Sequence, residues 1–338
     1  MTMRATKLIE VLRHCIKNRR SLLIVGQPGG GKTDCASQAA DLEESDFLLM
    51  HPAVSDPTDF KGMPALVVNG AGKNGNTKAE FLPFGDLRRL IEATKRTLVL
   101  VDDLIQAPTA VQAALMQLVL ARQVNGKRIS DEVVFVGATN DVSDRAGGTG
   151  LIEPLKSRWD SVIRFEVSVD DWTRWAMDHN QPTELIAFIR CRPELLCQFV
   201  PSREIKSYPC PRTWASVGRW FNEGLVDHEI FSGVVGNGAA TEFVSFLQLM
   251  KEAPNLDAII MDPDCSPIPS KPGILYMVVS GLARKATKGN FEKILRYASR
   301  LPKEFEVCLV RDGVRTNVAL TQCSAYIEWG IRNQDVLS

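Results

Sequence analysis

Residues 21–33 read SLLIVGQPGGGKT, and no other stretch constrains the chain as strongly. Ser21–Val25 is an apolar run of strand length that ends in glycine, as a buried parallel strand does. The eight residues that follow, Gly26, Gln27, Pro28, Gly29, Gly30, Gly31, Lys32 and Thr33, fit G-x-x-x-x-G-K-[ST] at every position. Glycines let the backbone curl until successive N–H groups point inward, which suits phosphate oxygens. The lysine reaches the β- and γ-phosphates, and the threonine offers its hydroxyl to Mg2+. A helix expected from about Asp34 adds the positive end of its dipole. The alternative is a glycine-rich surface turn. With glycine at about 7% of residues, a chance match in such a chain is roughly a one-in-a-hundred event. The strand before and the helix after favour the loop that holds ATP with Mg2+.

The rest of the first half supports a sheet around that loop. Apolar runs begin again at Phe47 (FLLMHPA), Thr97 (TLVLV), Val133 (VVFVG) and Ser161 (SVIRFEV), giving five strands in all. Helical patterns separate most of them; in Thr109–Ala121, Val111, Ala114, Leu115, Leu118 and Val119 share one face. Continuous apolar strands spaced by helices predict an α/β fold, a parallel five-stranded sheet with helices on both faces. Between the second strand and a helix over Gly85–Lys95, residues 61–84 (KGMPALVVNGAGKNGNTKAEFLPF) read as an inserted β-hairpin.

After Val167 the strand signals fade. Helices are expected over Asp170–Asn180, Glu184–Arg192, Arg212–Glu223 and Glu229–Lys251, with the Asp170–Asp171 pair placed to cap the first. A connector rich in proline (Pro254, Pro263, Pro267, Pro269, Pro272) follows, then helices over Gly273–Ala286 and Asn290–Ser299. Two domains are predicted: an α/β domain over 1–167 and a mainly helical lid and C-terminal region over 168–338.

Forty basic residues balance forty acidic ones, so no global charge favours nucleic acid or an anionic membrane. The longest apolar stretch, Ile274–Ala283, is too short for the ~20 residues of a membrane helix. The N-terminus lacks the apolar block of a signal peptide and reads as an amphipathic helix carrying Leu8, Ile9, Leu12 and Ile16. Eight cysteines without CxxC pairs suit reduced thiols in a cytoplasmic protein rather than zinc or disulfides.

TLVLVDD supplies the second half of the site. An apolar strand delivers Asp102 to its C-terminal end, where ligands bind in open parallel sheets. Asp102 is placed to hold Mg2+ together with Thr33, and Asp103 to polarise an attacking water. Asn140, in VVFVGATN, sits just past the next strand, within reach of a γ-phosphate. Arg158, in EPLKSRWD, precedes the fifth strand; the readings are a solvated arginine or a finger inserted into a neighbouring subunit's site. Arg212, in CPRTWASVGRW, opens a helix of the second domain and is a candidate to fold over the phosphates.

Taken in order, these motifs resemble the AAA+ superfamily and, within it, the MoxR-like branch, from about Thr6 to Phe221. GQPGGGKT resembles Walker A, VLVDD Walker B, GATN sensor 1, EPLKSRW the arginine-finger segment and CPRTW sensor 2. DPTDFKG and the hairpin after it resemble the helix-2 insertion of MoxR-like proteins. The resemblance implies ATP hydrolysis at the interfaces of a homo-oligomeric ring, usually a hexamer. It also implies remodelling of a protein client, often with a von Willebrand factor A domain partner. In such a ring two readings stand for the hairpin over 61–84 and Phe60: projection toward the central pore or a partner, or a surface hairpin without a role. Two departures stand out. Asp103 occupies the usual Glu position, one methylene shorter, so either hydrolysis is slow or the site is built around the shorter base, and the second reading is favoured. Ser-Arg-Trp replaces Asp-Arg-Phe in the finger segment, and Arg145 in the preceding loop is a second candidate finger. Two other functions compete: a nucleic-acid machine, supported by the basic run Arg13–Arg20, and an ATP-gated scaffold with little turnover.

Overall fold

The computed structural model describes residues 2–69, 76–141, 150–201 and 204–334. They form two compact units, Met1–Ser168 and Val169–Ser338.

The first unit runs β1 (Thr2–Met3), α1 (Ala5–Asn18), β2 (Leu22–Val25), α2 (Lys32–Leu42), β3 (Asp46–Met50), α3 (Pro57–Lys61), β4 (Met63–Asn69) and β5 (Asn76–Leu82). It continues with α4 (Gly85–Glu92), β6 (Thr97–Val101), α5 (Thr109–Leu120), β7 (Gln123–Val124), β8 (Lys127–Arg128), β9 (Val133–Thr139), α6 (Glu153–Lys156) and β10 (Ser161–Phe165). The main sheet is parallel throughout, in the order β1-β10-β2-β9-β6-β3. The five expected strands are all present. A sixth, β1, joins the edge by pairing Thr2 with Arg164 and Met3 with Phe165. Two residues carry no periodicity, so the pattern of the sequence gives no sign of that strand.

The strands are apolar end to end because helices cover both faces. Leu22, Ile24, Leu98, Leu100, Val134 and Val136 point to one side, against Leu8, Leu12 and Ile16 of α1 and Ala36, Ala39 and Ala40 of α2. Leu23, Val99, Val101, Val133 and Phe135 point to the other, against Leu87 and Leu90 of α4 and Val111, Ala114, Leu115 and Leu118 of α5. Successive side chains alternate between the two cores, as the pleat requires. Phe60 belongs to the second core at 4% exposure, so it is a packing residue of α3 and does not project outward. The helix expected from Asp34 starts two residues earlier, at Lys32.

The inserted hairpin exists as β4 and β5, antiparallel from Met63↔Leu82 to Asn69↔Asn76. Its expected tip, 70–75, lies outside the described residues. Leu66 and Phe81 stand exposed on it. The basic run of α1 is tied into the fold: Arg13 and Lys17 both pair with Glu43, and Arg19 pairs with Glu132.

The described residues of the second unit form no strand. Its helices are α7 (Val169–Asp178), α8 (Thr183–Cys191), α9 (Pro211–Asn222), α10 (His228–Val235), α11 (Asn237–Met250), α12 (Leu256–Met261), α13 (Pro272–Lys285), α14 (Phe291–Ala298), α15 (Lys303–Thr316) and α16 (Ser324–Arg332). Asp170 and Asp171 fall inside the first turn of α7 rather than capping it. The single helix expected over Glu229–Lys251 breaks at Gly236, whose φ of 84° and ψ of 153° no helix accommodates. The proline-rich connector contains α12, started by Asn255, whose side chain accepts from the amides of Asp257 and Ala258. Phe188, Trp214, Phe231, Phe243 and Phe246 make an aromatic core, and Trp214 donates its indole N–H to Leu195 O at 2.7 Å. No helix among the described residues is long and apolar enough to cross a membrane, and no two cysteines are joined in a disulfide.

Candidate functional site

The site is assembled where β2, β6 and β9 end side by side. The Gly26 amide, just past β2, donates to Thr139 O at the end of β9 (3.1 Å), which fixes where the loop departs. A Cβ on Gly26 would lie 3.0 Å from Phe165 O, and one on Gly30 within 3.3 Å of Gln27 O, Val167 and Phe165. These two glycines therefore let the loop lie down on β10. Gly29 and Gly31 have positive φ, 71° and 103°. Gly31 faces open space, so its backbone conformation alone requires glycine there. Pro28 and Gly29 are the central residues of a turn that the Gly30 amide closes by reaching back to Gln27 O at 3.4 Å.

Gly31 is also the N-cap of α2, and no side chain caps that helix. The first bond of its ladder is given by Cys35 to Gly31 O (3.0 Å), so the amides ahead of it lie outside the ladder. With Asp34 exposed in the first turn, this end of α2 has the orientation that attracts phosphate.

Four side chains converge on the loop. Lys32 is buried, and its ammonium donates to Gly26 O (2.7 Å), Gln27 O (3.0 Å) and Asn140 Oδ1 (2.9 Å). Asn140, past the end of β9, is 4% exposed. From the other side, the Thr33 hydroxyl donates to Asp102 Oδ2 at 2.8 Å. Asp102 is held at the end of β6 by its amide, which donates to Met50 O (2.9 Å), and its Oδ1 accepts from the Asp103 amide (2.9 Å). Asp103 is half-buried and left-handed, with φ 53° and ψ 37°, a conformation that Asp tolerates better than most residues. It opens a short 3-10 turn over Leu104–Gln106.

The donor set fits Mg2+ with a nucleotide. Thr33 and Asp102 offer two hard oxygens in direct contact, and no soft ligand stands among these residues. No group of three or more His, Cys, Asp or Glu among the described residues has metal-binding geometry, so a closed protein-only metal site is absent from them. A hard cation that takes most of its ligands from phosphate and water matches what is present.

Neither arginine is hydrogen-bonded to a member of this cluster among the described residues. Arg158 follows α6, is exposed, and makes no hydrogen bond or ion pair with a described residue. Its neighbour Trp159 is the opposite, buried in the sheet core with its indole against Gly137 of β9. Arg212 lies in the second unit, itself exposed in the first turn of α9, where Thr213 Oγ1 accepts from the Cys210 amide (2.8 Å) and sets the start of the helix. Arg145 lies outside the described residues.

One residue near the site has no counterpart among the expected ones. Gln112 on α5 is fully buried and hydrogen-bonds to three backbone groups, of Ala107, Gly150 and Ile152. Its signal in the sequence was a polar side chain one residue after Val111 and three before Leu115, inside the apolar face of a helix.

No family model matches the chain, and neither does any curated protein. Solved structures that resemble it do so remotely. The RuvB Holliday junction branch migration motor of Thermotoga maritima has a TM-score of 0.40 at 15% identity, over 82% of this chain and 80% of that one. A Cytophaga hutchinsonii protein described provisionally as an ATPase scores 0.34 at 13% identity, over 91% and 79%. NtrX from Brucella abortus scores 0.38 at 12% identity, over 94% and 63%. The chain's own strand order and loop geometry define its fold: an α/β P-loop sheet, followed by a mainly helical region.

Proposed function

We propose that the chain is a Mg2+-dependent ATPase of the AAA+ kind, working as a homo-oligomeric ring that converts hydrolysis into conformational work on a protein partner. One observation carries the proposal: Lys32–Asn140 and Thr33–Asp102 meet in hydrogen-bond contact at the mouth of a glycine loop. In this reading Gly26–Thr33 wrap the phosphates, and the Lys32 ammonium turns from Gly26 O and Gln27 O to the β/γ oxygens. Thr33 and Asp102 would hold Mg2+, which neutralises charge on the phosphates and orients them. Asp103 takes a proton from the attacking water, and Asn140 hydrogen-bonds that water or the γ-phosphate. Arg158, exposed and without a partner among the described residues, suits a neighbour's site, where a finger stabilises the charge of the transferring group. Arg212 is assigned to the same phosphates from the helical unit.

The protein partner rests on the family resemblance and on the exposed apolar side chains of the hairpin, Leu66 and Phe81. A von Willebrand factor A domain partner rests on the resemblance alone. The nucleic-acid reading is weakened, because Glu43 and Glu132 offset the charge of Arg13, Lys17 and Arg19 in the basic run. The scaffold reading is favoured by the shorter carboxylate of Asp103, and it predicts ATP binding without phosphate release.

Mixed oligomers test the shared site. Arg158→Ala and Asp103→Ala subunits, each with a low but measurable rate alone, should regain part of the wild-type ATPase rate when mixed. Intact oligomers that never regain it would sink the trans assignment.

A further inference from the structure

The candidate base and the candidate finger sit on different segments of the first unit, and two contacts tie those segments together. The first is Gln112. Its Nε2 donates to Ala107 O (3.0 Å) and Gly150 O (3.0 Å), and its Oε1 accepts from the Ile152 amide (3.0 Å). Ala107 ends the short turn that Asp103 opens, and Gly150 and Ile152 lead into α6 and Arg158. The second is a contact through the sheet. Gly137 is side by side with both Leu104 and Trp159: a Cβ built on it would lie 2.7 Å from Leu104 Cδ1 and 2.7 Å from Trp159 Cζ2. Leu104 directly follows Asp103, and Trp159 directly follows Arg158.

We infer that Gln112, aided by the Leu104–Gly137–Trp159 contact, is a positioning residue that couples the state of Asp103 to the pose of Arg158. The inference rests on the ATPase reading above and deepens it. Asp103, at φ 53°, is the residue where the chain turns from the end of β6 into Leu104–Ala107, so its backbone sets the direction of that segment. A shift of its backbone as it engages ATP and water moves Leu104–Ala107 with it. A fully buried amide with three backbone partners cannot follow one of them without the others, since each group left behind is an unpaired buried polar group. Movement at Ala107 therefore reaches Gly150 and Ile152, and Trp159 receives the same displacement from Leu104. The result is a route inside one subunit from its own nucleotide to the arginine it offers its neighbour.

Deuterium exchange on the full chain, with Mg2+–ATP as the probe, tests the link. In wild type, ATP should slow exchange at residues 26–33 and change it at 150–160. Both responses should persist in Arg158→Ala, which loses the contact with a neighbour but keeps the link. In Gln112→Met, which fills the space without hydrogen bonds, the response at 26–33 should persist and that at 150–160 should vanish. Its kcat should fall about tenfold with KM within about threefold of wild type. In the Arg158→Ala background the same substitution should lower kcat no further. A merely structural glutamine would lower kcat by the same factor in both backgrounds, and that result overturns the proposal. So does a 150–160 response that survives in Gln112→Met or disappears in Arg158→Ala. Should Gln112→Met not fold, Gly137→Ala attacks the other half of the link by forcing Leu104 and Trp159 apart, and should lose the same response. Failure of the ATPase reading has a different signature, no response at 26–33 in wild type, and it removes the trigger on which the link depends.

Discussion

At the scale of single residues, the site separates groups that grip from groups that shape. Lys32 grips: its ammonium already has three oxygen partners around the loop, and ATP would exchange some of them for phosphate. Lys32→Ala should weaken ATP binding about 10- to 100-fold, the worth of one charge-assisted hydrogen bond or slightly more, read by titration of a fluorescent ATP analogue. An unchanged Kd would remove Lys32 from the site. Gly31 shapes. An alanine there meets no atom within 4 Å, so the whole penalty of Gly31→Ala comes from its φ of 103°. The cost should be about 1–2 kcal/mol, seen as weaker ATP binding, lower stability, or both. The cysteines follow from burial. Burial pushes the Cys15 and Cys308 thiols up to about 11, so near pH 8 little thiolate exists at either. Exposed Cys265 also has a raised pKa, from the charge of Asp262, but it is open to reagent. Alkylation of the native chain at pH 8 followed by mass spectrometry should modify Cys265 before Cys15 or Cys308.

Elements show what the sequence made legible and what it hid. The central strands were readable because each is buried on both faces, so composition alone marks them. The glycine loop was readable because phosphate chemistry demands fixed residue types at fixed spacing. The two hydrogen bonds that complete the site, Thr33–Asp102 and Lys32–Asn140, join residues 69 and 108 positions apart. Only the motif order suggested they would meet. Gln112 stayed unread for the same reason, since its partners Gly150 and Ile152 are 38 and 40 residues away. Phe60 was misread because an aromatic beside a hairpin looks the same in sequence whether it packs inward or projects. Gly236 could have been read as a break, but a single glycine in a long apolar pattern is weak punctuation. The junction of α1 and α2 yields a pH test. Burial acts to raise the Glu43 carboxyl, and hydrogen bonds from Arg13 and Lys17 outweigh it, holding the group below the ordinary carboxylate range. Its contribution to stability is therefore fully present above the unfolded pKa of about 4.3 and fades as pH falls through the lower folded value. Glu43→Gln should be less stable than wild type in urea at neutral pH, with the gap closing in acid. A gap that widens in acid would contradict the assignment.

At the scale of the whole molecule, the candidate nucleotide site lies within one compact unit, and the proposed function sets it in a ring. In the proposed ring, ATP held by Lys32, Thr33 and Asp102 of one subunit would be completed by Arg158 of the next, and interface geometry would follow nucleotide state. Native mass spectrometry with a non-hydrolysable ATP analogue and Mg2+ should show oligomers that chelation of the metal weakens. Monomers under all conditions would leave Arg158 without a site. The central claim concerns Asp103, the short carboxylate where a longer one is usual. Phosphate release by wild type and Asp103→Ala, each with its ATP affinity measured alongside, tests it most directly. The account predicts Mg2+-dependent turnover in wild type, and in Asp103→Ala undiminished ATP binding with turnover down at least about 100-fold. Equal turnover in the two, or a wild type that binds ATP and releases no phosphate, would contradict it.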